Sequence, residues 1–118
     1  MKPQSDLHLA DSIPWTPIGE NASSAKGEGI TEKILSIDPD NPDNCTRLVL
    51  LKKGVKTGVV THPFWEEVWV LQGTLIDEGN GVTGGVGAYC CRHPGMPHGP
   101  FVIPEDTITF EIHYTPKE

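Results

Sequence analysis

The fold is decided by Thr61-His62-Pro63-Phe64-Trp65-Glu66-Glu67-Val68-Trp69-Val70-Leu71-Gln72-Gly73, together with a downstream stretch, His93-Pro94-Gly95-Met96-Pro97-His98-Gly99-Pro100-Phe101. Successive side chains of a strand take opposite faces, so Glu66, Val68 and Val70 share one face, and Glu67 and Trp69 share the other. Val60 and His62 share a face on the preceding segment. With His62 turned to an interior, Glu66 meets it across the turn through Pro63, Phe64 and Trp65. A His, a Glu four residues on and a distant His after a Pro/Gly turn are what a small β-barrel needs to hold a divalent metal ion. Imidazole and carboxylate suit Zn, Fe, Mn, Ni or Cu alike, so the spacing names a site type and no metal.

Working outward, Ile30 to Ile37, Cys45 to Leu51, Val55 to Thr61, Leu75 to Asp77, Val82 to Gly84, Gly87 to Cys91 and Thr107 to Tyr114 read as further short strands. The Asn80-Gly81 pair supplies the positive φ angles of a tight hairpin turn. Asp38 to Asn44, with two prolines, reads as a plain solvated loop; it lacks the glycine and terminal glutamate spacing of a calcium loop. Gly19 to Gly29 reads as a surface loop, and Ile13 to Ile18 as an extended segment that lays Trp15 against the body of the domain. With 13 Gly, 11 Pro and no sustained helical period, the chain reads as all-β, with roughly ten short strands.

At 118 residues one domain with a real core is expected: a flexible N-terminus over residues 1–12 and a β-barrel over residues 13–118. A formal net charge of −7, with few and unclustered Lys and Arg, argues against nucleic acid and against an anionic membrane surface. There is no apolar run long enough to span a bilayer, and Met1 to Asp6 lacks the apolar segment of a signal peptide. Three cysteines, Cys45 and the neighbours Cys90 and Cys91, do not form a disulfide framework. The expectation is a cytoplasmic protein.

The two stretches resemble the paired motifs of the cupin superfamily. In the first motif Gly54, His62, Glu66 and Gly73 stand where the family has its leading Gly, second His, Glu and closing Gly, while Val60 occupies the place of the first His. In the second, Gly87, Gly95 and His98 fit, and His93 replaces the usual Pro. Pro14-Trp15, Thr46-Arg47-Leu48-Val49, the Glu66-Glu67 doublet and His98-Gly99-Pro100-Phe101 look like the ChrR-like cupin group, which includes anti-sigma-factor cupins and small dioxygenases. The resemblance implies a single-domain double-stranded β-helix, a jelly-roll-like cupin barrel. It also implies one divalent transition metal (Fe, Zn, Mn or Ni) on His62, Glu66 and His98.

Two His and one carboxylate remain a recognised set for non-haem iron. His93 and His113 are the candidates for a fourth ligand; read plainly, His93 is a solvent-facing turn residue and His113 a packed or hydrogen-bonded one. Cys90 and Cys91 face opposite sides of their strand. Arg47 and Arg92, the only arginines, are candidates for an anionic substrate or, more plainly, for surface ion pairs worth under about 1 kcal/mol. Trp69, outward by parity, suggests a homodimer interface.

The function implied is a metal-dependent, dioxygenase-like enzyme for a small carbonyl or aromatic compound. The alternative is a non-catalytic ligand- or metal-sensing domain. A sugar-type isomerase would need basic residues for a phosphate, and they are too scarce here.

Overall fold

In the computed structural model, residues 1–19 and 24–115 are described; the expected loop over 19–29 therefore lies partly outside them, at 20–23. Among the described residues, nine strands follow one short 3-10 turn at Ala10–Ser12. They are β1 (Thr16–Pro17), β2 (Ile30–Asp38), β3 (Asn41–Leu51), β4 (Trp65–Gln72), β5 (Leu75–Asp77), β6 (Val82–Gly84), β7 (Tyr89–Arg92), β8 (Phe101–Val102) and β9 (Thr107–Tyr114). A six-stranded antiparallel sheet has the order β1-β2-β3-β9-β4-β7, and a three-stranded sheet the order β6-β5-β8. The architecture is a jelly-roll-like pair of sheets, all-β as expected, without one hydrogen-bonded ring closing into a barrel. Among the described residues no helix is long and apolar enough to cross a membrane.

Alternation builds the large sheet. Along β3 the inward residues are Cys45, Arg47, Val49 and Leu51; along β9 they are Thr107, Thr109, Glu111 and His113. Along β4 they are Glu66, Val68 and Val70. Antiparallel register aligns these rows. Cys45 pairs with His113, His113 with Glu66 and Glu66 with Arg92, so four polar side chains cross β3, β9, β4 and β7 in one line. A parallel line one step along the sheet runs Arg47, Glu111, Val68, Cys90. The interior therefore grades from a polar end to an apolar one, where Ile18, Ile30, Val49, Leu51 and Ile103 pack together. Each such side chain contributes about 1.5–3 kcal/mol when withdrawn from water.

Three sequence expectations change. Residues 38–44 form no open loop: β2 and β3 are joined by a tight turn at Pro39-Asp40, where the Asp38 carboxylate accepts the Asp40 N–H at 2.9 Å, and pairing resumes at Asn41. Val55 to Thr61 is no continuous strand. It meets residues 98–103 only through the isolated bridges Lys56 with Val102 and Val60 with His98, and the Thr57 hydroxyl, 3.1 Å away, takes the Phe101 N–H where a ladder would use a carbonyl. The arginines, read as candidates for an anionic substrate or for surface ion pairs, are both buried, which removes the second reading.

Trp15 does lie against the sheet, with the Lys33 ammonium 4.6 Å from its ring centre. The N-terminal amine pairs with Asp38 at 2.9 Å, and the Lys2 amine donates to Thr46. Gly73 is required twice over: its φ is +82°, and a Cβ there would strike the Thr107 hydroxyl and the Asp106 carbonyl where β4 gives way to β5.

Candidate metal centre

His62 lies at the end of the irregular 55–62 segment, Glu66 near the start of β4, and His98 on the segment that bridges back to Val60. Val60 and His98 exchange backbone hydrogen bonds of 2.9 and 3.0 Å, and the Gly95 N–H donates to the His62 carbonyl at 2.9 Å. These bonds tie the second sequence stretch to the first. The φ of +78° at Gly95 makes that turn available without strain.

The three side chains are buried and converge. His62 Nε2 and His98 Nε2 stand 3.6 and 3.8 Å from Glu66 Oε1, and the donor atoms of the trio all lie within 4.8 Å of one another. Each imidazole is aimed by its other nitrogen: His62 Nδ1 sits 3.0 Å from the Phe64 carbonyl and His98 Nδ1 3.2 Å from that of Met96. A carbonyl only accepts, so each Nδ1 carries a proton and each ring turns its Nε2 toward the carboxylate. Phe64 stacks on His62 at 4.1 Å with planes 5° apart, and on His113 at 4.4 Å, which fixes the His62 ring from its flat side.

His62 Nε2 has no hydrogen-bond partner although it is fully buried. A buried nitrogen left orphaned costs about 1–3 kcal/mol, and a cation between the two imidazole nitrogens and the carboxylate oxygen would satisfy all three. The residues present therefore fit a divalent metal. Burial pushes the His98 imidazole down, with Glu66 opposing, which favours the neutral ring that a metal needs.

Of the two candidate fourth ligands, His93 stays at the surface, its Nδ1 2.8 Å from the Pro94 carbonyl. His113 comes into the interior in a different position. Its Nε2–H lies 2.9 Å from Glu66 Oε2 and 3.2 Å from Glu111 Oε1, and its Nδ1 3.7 Å from Cys45 Sγ. Burial pushes the His113 imidazole down, but Cys45 and the two carboxylates outweigh it and raise it to about 11. Burial likewise pushes Glu66 up, and His113 and His62 more than reverse that, holding it well below the usual carboxylate range. His113 thus clamps one oxygen of Glu66 and leaves the other facing His62 and His98. The Val60 side chain lines the same cavity, as the motif position requires, and offers no donor.

Behind this group lies a closed set of charges. Arg47 Nε–H and Nη2–H donate to Glu111 Oε1 at 3.1 and 2.8 Å, Nη1–H to Glu32 at 2.9 Å, and Nη2–H also to Ser24 at 2.7 Å. Burial pushes the Glu111 carboxyl up, and the Arg47 charge brings it below its ordinary value. The Glu111 and Arg47 roles went unread in the sequence, since they depend on the β3–β9 register. On the opposite, outer face Trp69 is 53 % exposed, as its parity predicts.

Solved structures share the fold. An RmlC-like cupin from Shewanella frigidimarina aligns at 18 % identity over 98 % of this chain and 95 % of that one, with a TM-score of 0.72. An acetylacetone dioxygenase from Acinetobacter johnsonii aligns at 19 % identity over 96 % of this chain and 74 % of that one, TM-score 0.72. KdgF from Halomonas sp. aligns at 16 % identity over 98 % and 97 %, TM-score 0.75. Among curated proteins none matches the chain. The ChrR cupin-like domain model matches residues 4–118, and with both motif stretches folded onto one buried His-Glu-His cluster, the chain belongs to the ChrR cupin-like family.

Proposed function

We propose that this cupin is a metal-dependent, dioxygenase-like enzyme acting on a small carbonyl or aromatic compound, with one divalent metal held by His62, Glu66 and His98. The observation that carries the reading is the buried, unpartnered His62 Nε2 facing Glu66 beside His98. The likeness to an acetylacetone dioxygenase supports the reaction type. When bound, the metal would act as a Lewis acid that orients and polarises a substrate carbonyl. The chain does the rest: the carbonyls of Phe64 and Met96 hold the two imidazoles in the ligating tautomer, and His113 holds Glu66 ionised and turned. The residues around the donor set keep bulk water out.

The same reading includes a homodimer and a reducing compartment. Exposed Trp69 and Tyr89, paired across β4 and β7, support the first, and three free cysteines the second.

Elemental analysis of protein purified without chelator tests the metal. About one equivalent is expected in the wild type. His98→Ala should lower the affinity by more than the 10- to 100-fold typical of losing an outer partner. Full retention of metal in His98→Ala overturns the ligand set. Oxygen uptake with diketones and hydroxylated aromatic ketones then tests the chemistry.

A further inference from the structure

Arg92 is the one guanidinium of the polar interior that the fold leaves open. It is 8 % exposed, and its Nε–H is fully buried without a hydrogen-bond partner. The nearest carboxylate oxygen, Glu66 Oε1, lies 3.8 Å away, too far for a hydrogen bond. That oxygen stands 3.6 and 3.8 Å from His62 and His98 as well, bonded to none of the three. Arg47, by contrast, is saturated by Glu111, Glu32 and Ser24. A buried guanidinium presents rigid, planar donors that match a carboxylate, and leaving it unpaired is costly. Arg92 is also held in place, its guanidinium carbon 5.4 Å from the Phe101 ring centre.

The β4–β7 register sets Arg92 directly across from Glu66, and both line one cavity of about 70 Å³ with His62 and His98. That is less than half of the ~150 Å³ that holds a benzene ring in an engineered protein cavity. The space beside the donor set takes a molecule of a few heavy atoms; Arg92 and Phe101 also line a second cavity of about 210 Å³.

We propose that Arg92 is the carboxylate anchor of this site, and that the ligand is a compact aliphatic acid of two to four carbons carrying an oxygen function beside its carboxylate. This narrows the substrate class proposed above. It rests on that reading only for where the oxygen function goes; the contact between carboxylate and Arg92 needs no metal.

The test is calorimetric titration of metal-free and Co(II)-loaded protein with oxalate, pyruvate, 2-oxobutyrate and malonate, and with neutral acetylacetone, in the wild type, Arg92→Gln and Arg92→Lys. At least one acid should bind the wild type and bind Arg92→Gln at least about tenfold more weakly, a charge-assisted pair being lost. Arg92→Lys should fall between, because charge remains without the planar fork. Co(II) stoichiometry should stay at one equivalent in all three proteins, and acetylacetone, which has no carboxylate, should lose less affinity than the acids. Equal acid affinity in all three, or no acid binding to the wild type, overturns the anchor. If Arg92→Gln fails to fold, Arg92→Lys alone decides. Acid binding that depends on Arg92 in a protein taking up no Co(II) upholds the anchor and sinks the metal reading; Co(II) uptake with Arg92-independent binding does the reverse.

Discussion

Arg47 and Arg92 are both buried on the inner face of the same sheet, yet Arg47 donates to three side chains while Arg92 leaves its Nε–H without a partner. The surroundings differ in the same way. Around Arg47, Glu32, Glu111, Thr109 and His113 form a network in which Thr109 and Arg47 between them engage both Glu111 oxygens. Around Arg92, two imidazole nitrogens and one carboxylate oxygen face each other beyond hydrogen-bond distance. Burial of charge is common to both regions and so says little about use. Whether the charge is satisfied within the protein is what separates a strut from a receptor.

The comparison breaks most visibly in stability. Arg47→Met strips Glu111 and Glu32 of their main partner and should cost about 3–5 kcal/mol in urea unfolding of the metal-free protein. Arg92→Met, which removes the 3.8 Å contact with Glu66 and keeps most of the stem's packing, should cost less, about 1 kcal/mol. Equal losses would erase the distinction between the two regions.

Protons should act on the closed side. His113 has its proton affinity raised to about 11 from the ordinary 6.5. Its contribution to stability is therefore complete below pH 6.5, shrinks as pH rises toward 11 and is gone above that. Glu66 and Glu111 are held below the ordinary 4.5, so theirs is present above pH 4.5 and lost as pH falls through the depressed values. Urea midpoints of the metal-free protein across pH 3–11 should fall on both flanks. His113→Gln should flatten the alkaline flank, and an unaltered flank there would remove His113 from the network.

The mildest effect belongs to the open side. Val60 lines the cavity at the position of the missing first His, so Val60→His should tighten metal binding by about tenfold, roughly 1.4 kcal/mol, in a competition titration against a chelator. An unchanged affinity would mean that a side chain at position 60 does not reach the donor set.

Much of this was legible in the chain because strands write their faces into alternate residues. The inward Glu66, Val68 and Val70, the outward Trp69 and the whole of β9 follow from that rule alone. His62, Glu66 and His98 were legible because a Pro/Gly turn and a fixed spacing bring them together. The partnership of Arg47 with Glu111, and of Arg92 with Glu66, was not, since it depends on β9 lying between β3 and β4 and on β7 lying outside β4, an order that no local pattern encodes. Residues 55–61 misled for the opposite reason: their composition is that of a strand, but the Thr57 side chain takes up a backbone donor and interrupts the ladder. The 38–44 segment misled because its prolines mask a hairpin only two residues wide at the tip.

His113 holds Glu66 in place through one carboxylate oxygen, at 2.9 Å. The two oxygens of one side chain thus divide their tasks, Oε2 as a strut to the neighbouring strand and Oε1 as the face turned to the cavity. A change on the cavity side leaves the strut standing, so the residues around Oε1 are free to vary without loosening the sheet that carries them.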